Sequence, residues 1–222
     1  MLVVHHLNNS RSQRVLWLLE ELGVPYEIQH HQRDAKTMLA PPELRAIHPL
    51  GKSPVIVDGD VVLPETGAIV DWIVERYGNG RLVPAAGTAE RSRWTYWLHY
   101  AEGSAMPPLL MKLVFSRLPA NAPFLLRPVV NAIAARAQAG FVDPSLKLHF
   151  DYWEGELGKS EWFAGSEFSA ADVMMSFPVE AAANRGDALN GRPRLKAFLE
   201  KVHARPAYRR ALEKGGPYAY AD

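Results

Sequence analysis

The stretch GKSPVIVDGDVVLPETGAIVDWIVERY, residues 51–77, decides the fold. Two runs rich in Val and Ile, 54–57 and 61–63, flank Asp58-Gly59-Asp60. Short β-branched runs on either side of an Asp-Gly pair predict a tight antiparallel hairpin. From Glu65 to Tyr77 the pattern turns helical, and Gly78 and Gly80 stop it. Upstream, residues 2–7 form a short apolar run that reads as a strand, and residues 10–22 place Val15, Leu16, Leu18, Leu19 and Leu22 at helical spacing before Gly23 and Pro25. Residues 26–31 read as a second strand, and residues 32–50, with Pro41, Pro42 and Pro49, as a loop with one helical turn. The order is βαβαββα. Strand–helix–strand implies a parallel crossover and the hairpin adds antiparallel pairing, which makes a small α/β sandwich over residues 1–78.

Downstream the strand signal fades. Residues 79–88 are rich in Gly, Pro and Ala and read as a linker. Residues 89–115 form a long helical stretch with a bend expected at Gly103 or Pro107-Pro108. Residues 124–140 and 144–157 read as two helices or one broken helix, and 170–184, 193–204 and 206–213 as three more. Residues 89–222 are therefore expected to be all-α.

Composition narrows the chemistry. The chain has 222 residues, 48% of them hydrophobic and 22% charged, as in a core-forming globular protein. It has no cysteine, which excludes a disulfide framework, a thiolate zinc site, an iron–sulfur cluster and a cysteine nucleophile. Any sulfur chemistry must come from a ligand. A net charge of +1 leaves no overall electrostatic footprint for nucleic acid. No apolar run approaches the ~18 residues of a membrane span, and MLVVHHLNNS lacks the basic segment of a signal peptide. The expectation is a soluble cytoplasmic protein. Among eight histidines, His5-His6 and His30-His31 are adjacent pairs. Neighbouring strand residues face opposite ways, so neither pair chelates by itself, and no metal site is expected.

Four motifs carry the remaining signal. Ser10-Arg11-Ser12-Gln13 has the form of a capping box, with the Ser10 hydroxyl on the Gln13 amide and Gln13 reaching back. A hydroxyl that caps keeps its own proton, and beside a helix N-terminus it can stabilise an anion or a thiolate. Lys52-Ser53-Pro54 is either a plain turn or a cis Ser53-Pro54 bond that leaves the Ser53 backbone free for an extended ligand. In Glu65-Thr66, Thr66 is either an N-cap, or it binds a carboxylate while Glu65 binds an ammonium. Ser169-Ala170-Ala171-Asp172 is a second capping box, stapled by Phe168 and Val173, with a structural role. On the long helix, Tyr100, Met106, Leu110, Met111 and Phe115 make an apolar stripe that serves as core or, facing the first domain, as a wall for hydrophobic substrates.

In this order and spacing the motifs resemble the cytosolic glutathione transferase family over essentially the whole chain, and SRSQRVLWLLEELGVPYE and RDAKTMLAPPELRAIHPLGKSP are similar to a bacterial and fungal branch of it. The resemblance implies a thioredoxin-like N-terminal domain (1–78), an all-helical C-terminal domain (89–222), a homodimer, and glutathione as co-substrate. By position, Glu65 and Thr66 bind the γ-glutamyl head, Ser53 before a cis Pro54 pairs with the cysteinyl backbone, and Lys52 meets the glycyl carboxylate. Ser10 contacts the sulfur, with Ser12 and Asn9 as alternatives. A hydrophobic electrophile sits against Tyr100, Met106, Met111 and Phe115. Without a cysteine, the resemblance implies a serine-type transferase. Glutathione-dependent peroxide or disulfide reduction and a non-catalytic binding module are the alternatives.

Overall fold

The computed structural model describes residues 1–185 and 187–221. Its first part is β1 (Leu2–Leu7), α1 (Ser12–Leu22), β2 (Tyr26–His31), α2 (Leu44–Ile47), β3 (Val55–Asp58), β4 (Val61–Pro64) and α3 (Thr66–Tyr77). The four strands form one sheet in the order β2-β1-β3-β4. β1 runs parallel to β2, with Leu2 opposite Tyr26 and Leu7 opposite His31, and antiparallel to β3, with His5 opposite Val55. The β3–β4 hairpin turns through Gly59 at φ +61°, a conformation that suits glycine at the first loop position.

The second part is helical: α4 (Ala89–Tyr100), α5 (Met106–Asn121), α6 (Arg127–Ala137), α7 (Asp143–Glu156), α8 (Ala170–Arg185), α9 (Pro193–Ala204) and α10 (Pro206–Gly215). α4 runs into α5, and α6 into α7, each through five residues of π-helix, Ala101–Ala105 and Gln138–Val142. One physical reason covers both. Gly103 lies four residues before Pro107, and Gly140 four before Pro144. A proline has no N–H to give the carbonyl four residues back, so the helix widens there instead of ending. The bend expected near Gly103 is this π segment. No helix of the described residues is long and apolar enough to cross a membrane.

α1 is the hub. Ser12 through Leu19 and Leu22 are all buried, so the helix is enclosed on every side. It packs on β1, α3, α8 and α10. Trp17, 1% exposed, meets Tyr208 edge-on and lies against Phe168. The C-terminal turn of α10 comes so close that a Cβ on Gly215 would stand 2.6 Å from Gln13 Oε1 and 3.0 Å from Leu16 Cδ1. This contact explains a correction. The Ser10–Gln13 capping box does not form: α1 begins at Ser12, and the Gln13 amide donates to the Ser10 carbonyl at 3.3 Å. The Gln13 side chain is instead held in the α1–α10 interface, where its amide has no hydrogen-bond partner.

The second capping box does form. Asp172 accepts the Ser169 amide (2.9 Å) and hydroxyl (3.1 Å), and the Ser169 hydroxyl accepts the Ala171 amide at 3.3 Å. Asp172 also takes the Phe163 amide at 2.8 Å, which ties the preceding loop to α8. Phe168 packs on Trp17 and Trp162. Asp172→Ala strands several buried donors and is expected to lower unfolding free energy by about 2 kcal/mol. Urea denaturation with an unchanged m value is the check.

Candidate functional site

The ends of four chain segments meet where the sheet faces the helices. A cavity of about 240 Å³ there is lined by Arg11, His48, Leu50, Lys52, Ser53, Pro54, Pro64, Glu65, Thr66 and Glu102. Lys52, Ser53, Pro54, Glu65 and Thr66, drawn from two separate sequence motifs, thus share one wall. The Ser53-Pro54 bond is cis. Strand pairing of β3 starts only at Val55, and the Ser53 hydroxyl donates to the His5 carbonyl at 2.9 Å.

Thr66 is not an N-cap. It is the first residue of α3, and Glu65 occupies the cap position at φ 71°, ψ 118° without a side-chain cap bond. A glutamate with this positive φ is strained, and such strain collects where a backbone must present groups to a ligand. The turn leaves the Glu65 carboxylate at the exposed mouth and Thr66 buried, 3% exposed, beside the open amides of the α3 N-terminus.

The β1–α1 loop borders this cavity through Arg11, while Ser10, 4% exposed, lies just behind. The Ser10 and Ser12 hydroxyls are 2.7 Å apart, and Ser10 Oγ accepts the Ser12 amide at 3.2 Å. Ser12 Oγ lies 2.8 Å from His6 Nδ1 and accepts the Leu7 amide at 3.2 Å. Ser12 Oγ donates to the Leu7 carbonyl at 3.3 Å, which commits its one proton. Ser12 is then left to accept from Ser10. The Asn9 side-chain oxygen is occupied as well, accepting the Ala219 amide at 2.8 Å. Of the three candidates for sulfur contact, Ser12 is fully buried in this relay and Asn9 holds the C-terminal tail.

Sequence reading missed Arg11, His48 and Glu102. Arg11 gave a signal, since it adjoins Ser10. Glu102 gave little: it is one acid in a helical stretch, and its partners lie about ninety residues upstream. It sits in the π segment between α4 and α5, accepts Arg11 Nε at 2.7 Å and binds Arg14 as well. Arg14, 1% exposed, also donates to the Met174 carbonyl at 2.7 Å. Burial lowers the Arg14 pKa and Glu102 opposes that. Burial raises the Glu102 carboxyl, but Arg14 and Arg11 outweigh it and hold it below the ordinary carboxylate value.

The predicted apolar stripe does not form one wall. Tyr100 turns into the helical core, where its hydroxyl accepts Trp153 Nε1 at 2.9 Å and bonds His149. Met106, the first residue of α5, is also buried. Met111 and Phe115 stay half-buried at the core edge. The histidines pair across strands: His5 Nδ1 lies 3.1 Å from His31 Nε2, and His6 meets His30 edge-on. Among the described residues no group of three or more His, Asp or Glu is arranged to hold a metal ion.

Two expectations follow. Burial, with His30 adding repulsion, lowers the His6 pKa to about 4, below its ordinary 6.5. A histidine lowered on folding contributes stability that is complete above pH 6.5 and is lost as pH falls toward 4. Unfolding free energy should therefore drop across that window by an amount on the order of 3 kcal/mol from this residue, and His6→Gln should show a shallower slope in urea titrations. Separately, Glu102→Gln leaves the buried Arg14 cation without its carboxylate and is expected to cost about 3–5 kcal/mol of stability, read in the same assay.

Comparison with known proteins agrees with this geometry. The family model described as "Glutathione S-transferase, N-terminal domain" matches residues 10–76, and "Glutathione S-transferase, C-terminal domain" matches residues 127–215. The chain is 37% identical over 217 residues to Glutathione S-transferase 3 of Schizosaccharomyces pombe, covering 96% of this chain and 88% of that one. It is 31% identical over 220 residues to Glutathione S-transferase 1 of Saccharomyces cerevisiae, covering 95% and 94%. A crystal structure of a glutathione S-transferase from Actinobacillus pleuropneumoniae superposes with a TM-score of 0.79 at 31% identity, covering 100% of this chain and 96% of that one.

Proposed function

Because the chain belongs to the glutathione S-transferase family, we propose that it conjugates the thiolate of glutathione to hydrophobic electrophilic small molecules. One observation carries this reading: the residues of the Lys52-Ser53-Pro54 and Glu65-Thr66 motifs line a single cavity bounded by the start of α1. Each end of the tripeptide has a chemical match there. Glu65 takes the γ-glutamyl ammonium, while the Thr66 hydroxyl and the α3 amides take its carboxylate. The Ser53 backbone pairs with the cysteinyl residue, and Lys52 with His48 faces the glycyl carboxylate.

The thiol then lies toward Ser10 and Arg11. Both the Arg11 guanidinium and the N-terminal end of α1 favour the thiolate over the thiol. Ser10 supplies a hydrogen bond once its proton swings from Ser12 to the sulfur, and Ser12 still holds the oxygen in place through its amide. The thiolate attacks the electrophilic carbon and displaces a halide or adds to an activated double bond. Holding both reactants in line supplies the remaining gain. The protein needs no thiol of its own, consistent with its lack of cysteine.

In this reading residues 1–78 bind glutathione, 79–88 link, and 89–222 supply the second-substrate side. The protein works as a cytoplasmic homodimer. Calorimetric titration with reduced glutathione should give saturable binding that the double variant Glu65→Ala, Thr66→Ala abolishes; unchanged binding in the variant would remove this site. Ser10→Ala should raise the pKa of bound glutathione by about one unit, a change of about 1.4 kcal/mol. The checks are thiolate ultraviolet absorbance against pH and a matching shift in the pH profile of haloarene turnover. An unshifted profile would transfer the role to Arg11. Rates on haloarenes above those on hydroperoxides separate conjugation from peroxide reduction.

A further inference from the structure

The hairpin of α5 and α6 carries an apolar surface that stands outside the core and outside the cavity lined by Lys52, Glu65 and Thr66. Among the described residues, α5 buries Met106, Pro108 and Leu109 at its start and none beyond, and α6 buries Ala134 alone. α6 packs on α5. The two helices therefore project as an arm. Its end is a 3₁₀ turn, Phe124–Leu126, whose three residues are exposed. Phe124 is 77% exposed and Leu125 84%. Leu126 opens a ridge that continues along α6 through Val129 and Ile133, at the spacing that keeps side chains on one helix face. Each of these three is more than half exposed. Single apolar side chains on a surface need no explanation, but a contiguous set at the end of a projecting element marks an interaction surface.

The charges along this arm are of one sign. From Gly103 to Val142 the chain has Lys112, Arg117, Arg127 and Arg136 and no Asp or Glu. Lys112 is paired with Asp143 at 2.7 Å, at the start of α7. Arg117, Arg127 and Arg136 are exposed and have no ion pair among the described residues. Arg127 adjoins the tip, and its Nε donates back to the Ala122 carbonyl at 3.2 Å, which holds the guanidinium beside the turn. Arg136 ends the ridge, one helical turn after Ile133. This composition selects the partner. An apolar ridge flanked by cations alone matches a surface that is anionic on top and apolar beneath, and a bilayer with acidic headgroups has both layers. The arginine stems lie along hydrocarbon while their guanidinium groups stay with the headgroups. A second copy meeting this face about a two-fold axis would bring the same cations against themselves.

We infer that the α5–α6 arm docks on an anionic lipid surface: Phe124, Leu125 and Leu126 enter the headgroup layer, and Arg117, Arg127 and Arg136 contact acidic headgroups. The arm lies on the membrane and does not pass through it; no helix of the described residues is long and apolar enough to cross one. For a cytoplasmic protein the matching surface is the inner leaflet, which carries the anionic lipids. This docking does not rest on the conjugation reading, though it bears on it. Hydrophobic electrophiles leave water for lipid, and an enzyme held at that surface works where they are most concentrated.

The test is flotation of the full-length protein with vesicles of phosphatidylcholine, alone or with about 30% phosphatidylserine. The partition coefficient should be about tenfold or more higher with phosphatidylserine, and should fall as salt rises to about 0.5 M. The double variant Phe124→Ser, Leu125→Ser should lower it about tenfold or more. Arg117→Gln and Arg127→Gln should each lower it about fivefold. Lys196→Gln, exposed on α9, should leave it unchanged. The substituted side chains are exposed, so every variant should keep the wild-type urea midpoint. Phe124→Trp puts a reporter in the turn; its emission should move to the blue, and brominated phosphatidylcholine should quench it, when phosphatidylserine is present. Absent partitioning, or equal partitioning on the two vesicles, overturns the inference. So does partitioning that the Phe124, Leu125 double variant retains in full. Where partitioning is absent, sedimentation equilibrium and DNA binding of the same variants show whether a second copy or a nucleic acid takes this face instead.

Discussion

The cation of Arg14 has nowhere to go but Glu102. It projects from a helix enclosed on all sides, against the carbonyl of Met174 from α8 and a carboxylate from the α4–α5 junction. A charge taken that far from water is tolerable only when paired and hydrogen-bonded. The two parts of the chain therefore cannot be packed in just any way; the sheet-bearing part must present α1 where Glu102 waits. Much else follows from this constraint. Glu102 also grips Arg11, so the wall of the cavity lined by Lys52, Ser53, Glu65 and Thr66 is set by the same carboxylate that locks the parts together. At the far end of α1, Glu21 binds Arg205, and Glu20 binds Arg210 and Lys214. The helix is clamped by charge at both ends and by Trp17, Phe168 and Tyr208 in the middle.

Local pattern carried most of the fold. The hairpin at Gly59, the stop at Gly23, and helices starting at Pro193 and Pro206 all follow from residues that act on their own neighbourhood, β1 matches its apolar run, and β2 spans the expected residues 26–31. The readings that failed share a cause. Ser10–Gln13 and Thr66 have the local chemistry of caps, yet α10 presses Gln13 aside and Glu65 takes the cap position at positive φ. Tyr100 is separated from α5 by a π turn that changes the angular phase, and Met106 stands nine residues before Phe115, on the opposite side of the same helix. The causes are a tertiary contact, a backbone turn at Glu65 and a change of helical pitch, none of which a local pattern registers.

For the site, spacing was enough to name five residues that line one cavity, since a strand end and a helix start place side chains predictably. It was not enough for Glu102, whose partners Arg11 and Arg14 lie 91 and 88 positions away. An ion pair that joins the start of α1 to the α4–α5 junction has no signature along the chain.

The hold of Asn9 on Ala219 bears on how the protein is made. A bond across 210 positions joins the loop after the first strand to the tail beyond the last helix. Gly215 lies close against His6 in the layer beneath. On a ribosome, the sheet-forming residues emerge long before α10. Until α10 arrives, α1 has an apolar flank open to water. Completion of this corner is thus deferred until α10 and the residues after it have been made.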